Sequence, residues 1–419
     1  MKVTLICHSD MIGGAAVVTR RLMNALRREG VDARMLVFTR MTPDPNVHNI
    51  SSRSRRSYTF IRERARIFMN NGFSRDRLFK VSLADVGIDI SRHPLVKDAD
   101  VIMLSWVNQG MLSLKGVKAL TSLGKPVVWL MHDMWNLTGI CHHAYECDRY
   151  KEACGCCPYL ASHNPRDLSH SVWERKKKLY ADTSITFVAV SRWLAGKCAE
   201  SSLMRDQRVE VIPNAFPIDD FSVKPQSRLK ISQLDYSKRI LLMGAARLDD
   251  PIKGLDYTID ALNEIFRDNP ALAEECMMVF FGDIKDRAKL DRLNFPFRHI
   301  GVITDTNVLH ELYAAASVVI STSLYETLPG TLIEGQASGA LPVTFGQGGQ
   351  ADIVDHLNSG YIARYKDAHS IAEGIEWALT EATVDPQRLH EQVGQRFSSE
   401  SVARRFITLF DNLLAADGL

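Results

Sequence analysis

Two glutamates, Glu326 and Glu334, are separated by seven residues in the run Ser323-Leu324-Tyr325-Glu326-Thr327-Leu328-Pro329-Gly330-Thr331-Leu332-Ile333-Glu334. A Pro-Gly turn between them opens a helix, so Glu326 falls in the loop leaving a strand and Glu334 about one turn into the helix. Unpaired backbone N–H groups at that helix start, around Leu328, Gly330 and Thr331, favour a phosphate, and the helix dipole adds to the preference. One carboxylate can then accept hydrogen bonds from sugar hydroxyls and the other from a nucleotide ribose. Upstream, Arg247 and Lys253-Gly254 add two cations.

The first half of the chain carries looser signals. His132, in Leu130-Met131-His132-Asp133-Met134-Trp135, sits at a strand end, where a histidine either fills a structural niche or meets a ligand. Asp133 beside it either orients that imidazole or binds a substrate. Gly13-Gly14-Ala15 is a glycine turn that either admits a ligand close to the backbone or serves tight packing. Cys141, Cys147, Cys154 and Cys157 have a Cys-x5-Cys-x6-Cys-x2-Cys spacing that could hold a structural zinc, with His142 and His143 as substitutes. The other reading is a set of buried free thiols or a redox-labile loop.

These residues need strands and helices to position them. Val3–Cys7 reads as a strand, Ala16–Arg28 as a helix ended by Gly30, and Ala33–Phe38 as a second strand. Further strands are predicted at Val101–Leu104, Val127–Met131, Ile185–Val190 and Val209–Ile212. The pattern restarts with strands at Arg239–Ala245, Met277–Phe281, His299–Val302, Val318–Ser321 and Leu341–Phe345. Helices are predicted at Gly254–Phe266, Val308–Ala316, Gly330–Ala337 and Glu400–Ala416. Alternation of this kind makes an α/β protein of two Rossmann-like, doubly wound domains. The expected division is 1–214, a linker at 215–237, a second domain at 238–399, and a C-terminal helix at 400–419.

The Glu-seven residues-Glu run, followed by the strand Gly339-Ala340-Leu341-Pro342-Val343, resembles the family-4 retaining glycosyltransferases of the GT-B fold. Here one more residue separates that glycine from the proline than in the usual form. The resemblance extends over nearly the whole chain. It implies two domains facing a shared cleft, with acceptor binding in the first, donor binding in the second, and the last helix crossing back. It implies that Arg247 and Lys253 neutralise the donor diphosphate, Glu334 holds the ribose and Glu326 the donor sugar. His132 would contact the transferred sugar, Gly14 would approach the donor phosphate, and Ile300-Gly301-Val302 would line the base pocket. Phe281-Gly282-Asp283-Ile284 departs from the family's glycine-rich turn, which puts that loop's donor contacts in doubt. The implied reaction is transfer from a UDP- or GDP-sugar to a glycan or lipid-linked hydroxyl in bacterial polysaccharide assembly. It is front-face and metal-independent, or else uses Glu326 covalently. A sugar-nucleotide epimerase and a non-catalytic sugar-nucleotide-binding protein are the alternatives.

The totals are compatible with this. A chain of 419 residues is too long for one ordinary core, and 51 Lys and Arg against 49 Asp and Glu leave it nearly neutral. No run approaches a membrane span, so a cytoplasmic protein at the inner membrane face is expected. Arg53–Lys80 concentrates nine basic residues against Glu63 and Asp76, interleaved with Phe and Ile. Such a stretch either meets anionic lipid or a phosphorylated acceptor, or is a solvated helix; no nucleic-acid module accompanies it.

Overall fold

The computed structural model describes residues 1–223, 231 and 234–417, and the chain divides into two compact units. The first comprises Met1–Ala215 and the C-terminal helix Ser399–Asp417; the second comprises Phe216–Ser398. Each is built on one all-parallel sheet whose strands are joined by helices, the two-domain α/β architecture expected from the alternating pattern.

In the first unit the strands are β1 (Lys2–Ser9), β2 (Asp32–Thr39), β3 (Val47–Asn49), β4 (Val101–Leu104), β5 (Val127–Met131), β6 (Ile185–Ala189) and β7 (Val209–Val211), in the order β3-β2-β1-β4-β5-β6-β7. The second holds β8 (Arg239–Arg247), β9 (Cys276–Asp283), β10 (Phe297–His299), β11 (Ala316–Ser321), β12 (Leu341–Phe345) and β13 (Tyr361–Ala363), in the order β10-β9-β8-β11-β12-β13. Both orders reverse once, at β1/β4 and at β8/β11. Loops leaving neighbouring strands part at such a point and open a crevice at the strands' C-terminal ends.

Sequence explains the central strands. Val101–Leu104, Val127–Met131 and Leu341–Phe345 are buried at every position, as parallel strands covered on both faces must be. Leu255, Ile259 and Leu262 from one helix, and Ile371 and Ile375 from another, pack on Leu241, Met278, Val318 and Val343 of the second sheet. Helices start where a polar side chain meets free N–H groups. Asp167, Ser191 and Asp367 each accept from the first turn of the helix that follows.

Two departures stand out. The strand predicted at His299–Val302 lies earlier, with Phe297–His299 paired to Met278–Phe280. Gly301, at φ +75°, takes the chain out of the extended region and leaves Val302 64% exposed. The stretch read as a linker is partly structured: the Phe216 N–H donates to the Phe397 carbonyl at 2.8 Å, and Ile218–Asp220 forms a 3-10 turn. Its residues 224–230, 232 and 233 lie outside the described residues.

The basic stretch forms the helix Arg53–Asn70, and not all of its charge faces outward. Arg64 is buried beside Glu63 at 2.8 Å, and Glu63 also accepts from the Leu83 and Ala84 amides. Arg56 donates to the Phe38 carbonyl. These two arginines are structural, whereas Arg53, Arg55 and Arg62 are exposed along with Tyr58, Ile61 and Met69. Within the first unit the C-terminal helix packs on the helix Gly14–Arg28, and Arg405 donates to the Val211 carbonyl at 2.6 Å.

Candidate functional site

In the second unit the predicted residues gather at the β8/β11 reversal. Arg247 ends β8, Lys253 closes the 3-10 turn Pro251–Lys253 that follows, and Glu326 lies in the loop after β11. Two contacts stitch these loops together. The Leu324 N–H donates to the Ile252 carbonyl at 2.8 Å, and the Thr322 hydroxyl reaches the Gly254 carbonyl at 2.9 Å. Gly254 has φ +63°, and a Cβ there would lie 2.1 Å from the Thr322 carbonyl oxygen, so only glycine fits between the two loops. The outcome is a direct ion pair in which the Lys253 ammonium donates to Glu326 Oε1, both side chains being roughly three-quarters buried.

Arg247 is held by charge without being saturated. Its Nε lies 3.4 Å from Asp249 and an Nη 3.8 Å from Asp250, and Nε makes no hydrogen bond. Its Nε is buried against Asp249, while the side chain as a whole stays 39% exposed. The helix Gly330–Ala337 starts at Pro329, with Leu328 buried and Thr331 and Glu334 half-buried. Gly330 serves packing as well, since a Cβ there would stand 2.9 Å from the Phe216 ring. Val302 is placed in an exposed irregular run beyond β10. In the loop that departs from the family pattern, the Phe281 ring fills the space over Gly244, and Asp283 pairs in register with Arg247.

The sequence reading missed the loop Gly346–Gln350. The Gly349 N–H donates to the Glu326 carbonyl at 2.9 Å, and buried Gln350 donates to the Ser323 carbonyl at 2.8 Å. This loop sets the backbone on both sides of Glu326. Its signal was present as a Gly-x-Gly-Gly run directly after an apolar strand.

In the first unit, His132 follows β5 and meets Ser105, which follows β4: Nε2 and Oγ are 2.8 Å apart. Ser105 Oγ lies 2.6 Å from Thr19 Oγ1, which donates to the Ala15 carbonyl at 2.6 Å. One proton per hydroxyl closes this chain if His132 Nε2 is the donor, which assigns the tautomer. Burial lowers the imidazole pKa to about 4, with the Asp133 charge only partly opposing, so His132 is neutral near pH 7. Asp133 does not orient His132. It binds His142 Nδ1 at 2.7 Å, the Trp106 indole at 2.9 Å and the Trp135 amide at 2.8 Å. Burial works against its charge, but His142 and these donors outweigh that and hold the carboxyl below the usual range. His8, at the end of β1, is a neighbour the sequence reading passed over. It stacks on Phe38, and burial lowers its pKa to about 4. Around Gly13 and Gly14 the space a side chain would take is open.

Cys141, Cys147, Cys154 and Cys157 line one small cavity. Among the described residues no three His, Cys, Asp or Glu side chains stand arranged to hold a metal as they are, and no helix is long and apolar enough to cross a membrane.

Comparison with known proteins assigns the family. Residues 12–220 match Glycosyltransferase Family 4 and residues 237–381 match Glycosyl transferases group 1. An uncharacterised glycosyltransferase of Methanocaldococcus jannaschii is 24% identical over 297 residues, 67% of this chain and 73% of the relative. A glycosyltransferase from Rickettsia africae superposes with TM-score 0.68 at 14% identity, covering 99% of this chain and 98% of that one. Anabaena HepE, crystallised with UDP, superposes with TM-score 0.63 at 16% identity over 98% of this chain and all of that one. With both halves matched and the fold shared along its length, the chain belongs to the family-4 glycosyltransferases of the GT-B fold.

Proposed function

We propose that this glycosyltransferase moves a hexose from a UDP- or GDP-sugar to a hydroxyl of a glycan or lipid-diphosphate-linked glycan in cell-surface polysaccharide assembly, retaining the anomeric configuration without a metal. The observation that carries this reading is the Lys253–Glu326 pair beside the Gly330 helix start, with Arg247 at the end of the neighbouring strand. Related structures support the donor and acceptor classes. HepE has been crystallised with UDP-glucose, and a lipopolysaccharide outer core galactosyltransferase, WaaB, superposes with TM-score 0.60 at 14% identity over 98% of this chain and all of that one.

In this reading the bond from the anomeric carbon to the diphosphate oxygen breaks as the acceptor oxygen bonds on the same face. The acceptor's proton passes to the departing diphosphate. Lys253, Arg247 and the N–H groups around Gly330 and Thr331 stabilise the charge that develops there. Glu326 holds donor-sugar hydroxyls and its negative charge favours an oxocarbenium-like centre; Glu334 accepts from the ribose. Val302 lines the base end of the donor.

The test is release of nucleoside diphosphate from UDP- and GDP-sugars, with and without a lipid-diphosphate-linked sugar, followed by NMR of the product's anomeric proton. Acceptor-dependent release, retention of configuration and full early activity in EDTA are expected. Donor epimerised without acceptor, donor bound but never consumed, or activity restored only by magnesium or manganese would each overturn a stated part of the reading.

A further inference from the structure

The four cysteines that line one cavity belong to no part of the transfer chemistry. They lie between 139 and 169, a segment with little regular structure. Cys141 is fastened by an antiparallel bridge to Val81, and Cys147 closes a turn onto the Ala144 carbonyl at 2.8 Å. The Cys157 N–H donates to Asp167, the cap of the helix Leu168–Ala181, at 2.7 Å. The backbone thus brings together residues up to sixteen positions apart in sequence around a cavity of about 20 Å³. That is room for one water-sized or ion-sized occupant. Cys156, the fifth cysteine of the segment, is not part of the lining.

Two further observations concern charge. One donor already points at a sulfur: the Gly139 N–H reaches Cys154 Sγ at 3.1 Å. Burial pushes the Cys141, Cys154 and Cys157 thiols up, and a hydrogen bond of this kind opposes that only in part. Below them lies Lys176, a fully buried lysine whose ammonium is hydrogen-bonded to the Trp135 and Thr138 carbonyls, 3.3 Å over the Trp135 ring. Burial pulls its pKa well down, with the nearby Cys154, Cys141 and Asp133 acting the other way.

We propose that Cys141, Cys147, Cys154 and Cys157 bind one zinc ion, a structural centre that fastens the 139–169 segment to the helix Leu168–Ala181. Four sulfur ligands select zinc by softness and tetrahedral geometry. Binding releases the thiol protons to solvent and involves no redox change. As they stand, the sulfurs are not drawn in to coordinating positions, so binding requires the four side chains to move inward.

The test is metal analysis of untagged full-length protein, purified without a metal-affinity step. About one zinc per chain is expected. Cys156→Ser should keep that zinc, whereas Cys154→Ser should lose most of it. Cobalt-substituted wild type should show thiolate-to-cobalt charge transfer and strong tetrahedral visible bands. Wild-type protein without stoichiometric zinc, disulfides among the four in non-reducing peptide maps, iron as the resident metal, or zinc retained equally by both variants would overturn the proposal. The wild-type metal content decides even if a variant fails to fold.

Discussion

Glu326 and Lys253 form a couple, so replacing either changes the other. Glu326→Gln removes the carboxylate that pairs with the Lys253 ammonium. We expect turnover to fall on the order of a hundredfold to a thousandfold, equivalent to about 2.7–4 kcal/mol, with donor affinity changed far less. Glu334→Ala should instead weaken nucleotide binding by about 1.5–3 kcal/mol, the range for a hydrogen bond to a charged group. Turnover rates and donor titrations separate these outcomes, and equal binding losses with unchanged turnover in both variants would remove the assigned roles. The histidines give a prediction of a different kind. His8 and His132 have folded pKa values near 4, below the unfolded value of about 6.5. The unfolded chain therefore binds protons that the folded chain refuses, and stability present above pH 6.5 is lost as pH falls toward 4. Denaturant melts across that window should show the decline, and His132→Asn should flatten it. An unchanged slope in that variant would mean that the His132 pKa is the same in the folded and unfolded chain.

At the scale of the element, the two loops that carry Lys253 and Glu326 are joined at Gly254. Gly254→Ala places a Cβ against the Thr322 carbonyl in a left-handed backbone. A loss of about 1–3 kcal/mol in thermal stability is expected, together with weaker donor binding as Lys253 shifts. A variant as stable as wild type would show that the loops tolerate separation. The central strands were legible in the sequence because continuous apolar runs such as Val127–Met131 and Leu341–Phe345 admit few other readings. The three-residue strands Val47–Asn49 and Tyr361–Ala363 were not, being too short to display a period. The Glu326–Glu334 spacing was legible for the same reason as the strands, since it is local. The Lys253–Glu326 contact spans 73 positions, and Asp133 turning to His142 rather than His132 depends on how one loop folds back. Neither could be read from neighbours in sequence. Nor could the inward turn of Arg56 and Arg64, which pattern alone counts as surface charge.

At the scale of the whole molecule, one chain carries a donor-type constellation in one unit and a basic, partly apolar helix in the other. We expect the exposed Arg53, Arg55 and Arg62, with Tyr58 and Ile61, to attract anionic membranes reversibly, about 1 kcal/mol per basic residue within a Debye length of roughly 8 Å. Replacing these three arginines with Gln should reduce co-sedimentation with phosphatidylglycerol vesicles at low salt and leave donor binding unchanged. Wild-type protein that ignores such vesicles would identify the stretch as a solvated helix. The central claim is that the β8/β11 reversal is the donor site, and calorimetric titration of UDP and GDP into wild type, Lys253→Ala and Glu334→Ala tests it most directly. The account predicts that wild type binds one of the two nucleotides and that each variant binds it about tenfold to a hundredfold more weakly. Unchanged affinity in both variants, or no binding of either nucleotide by wild type, would contradict it.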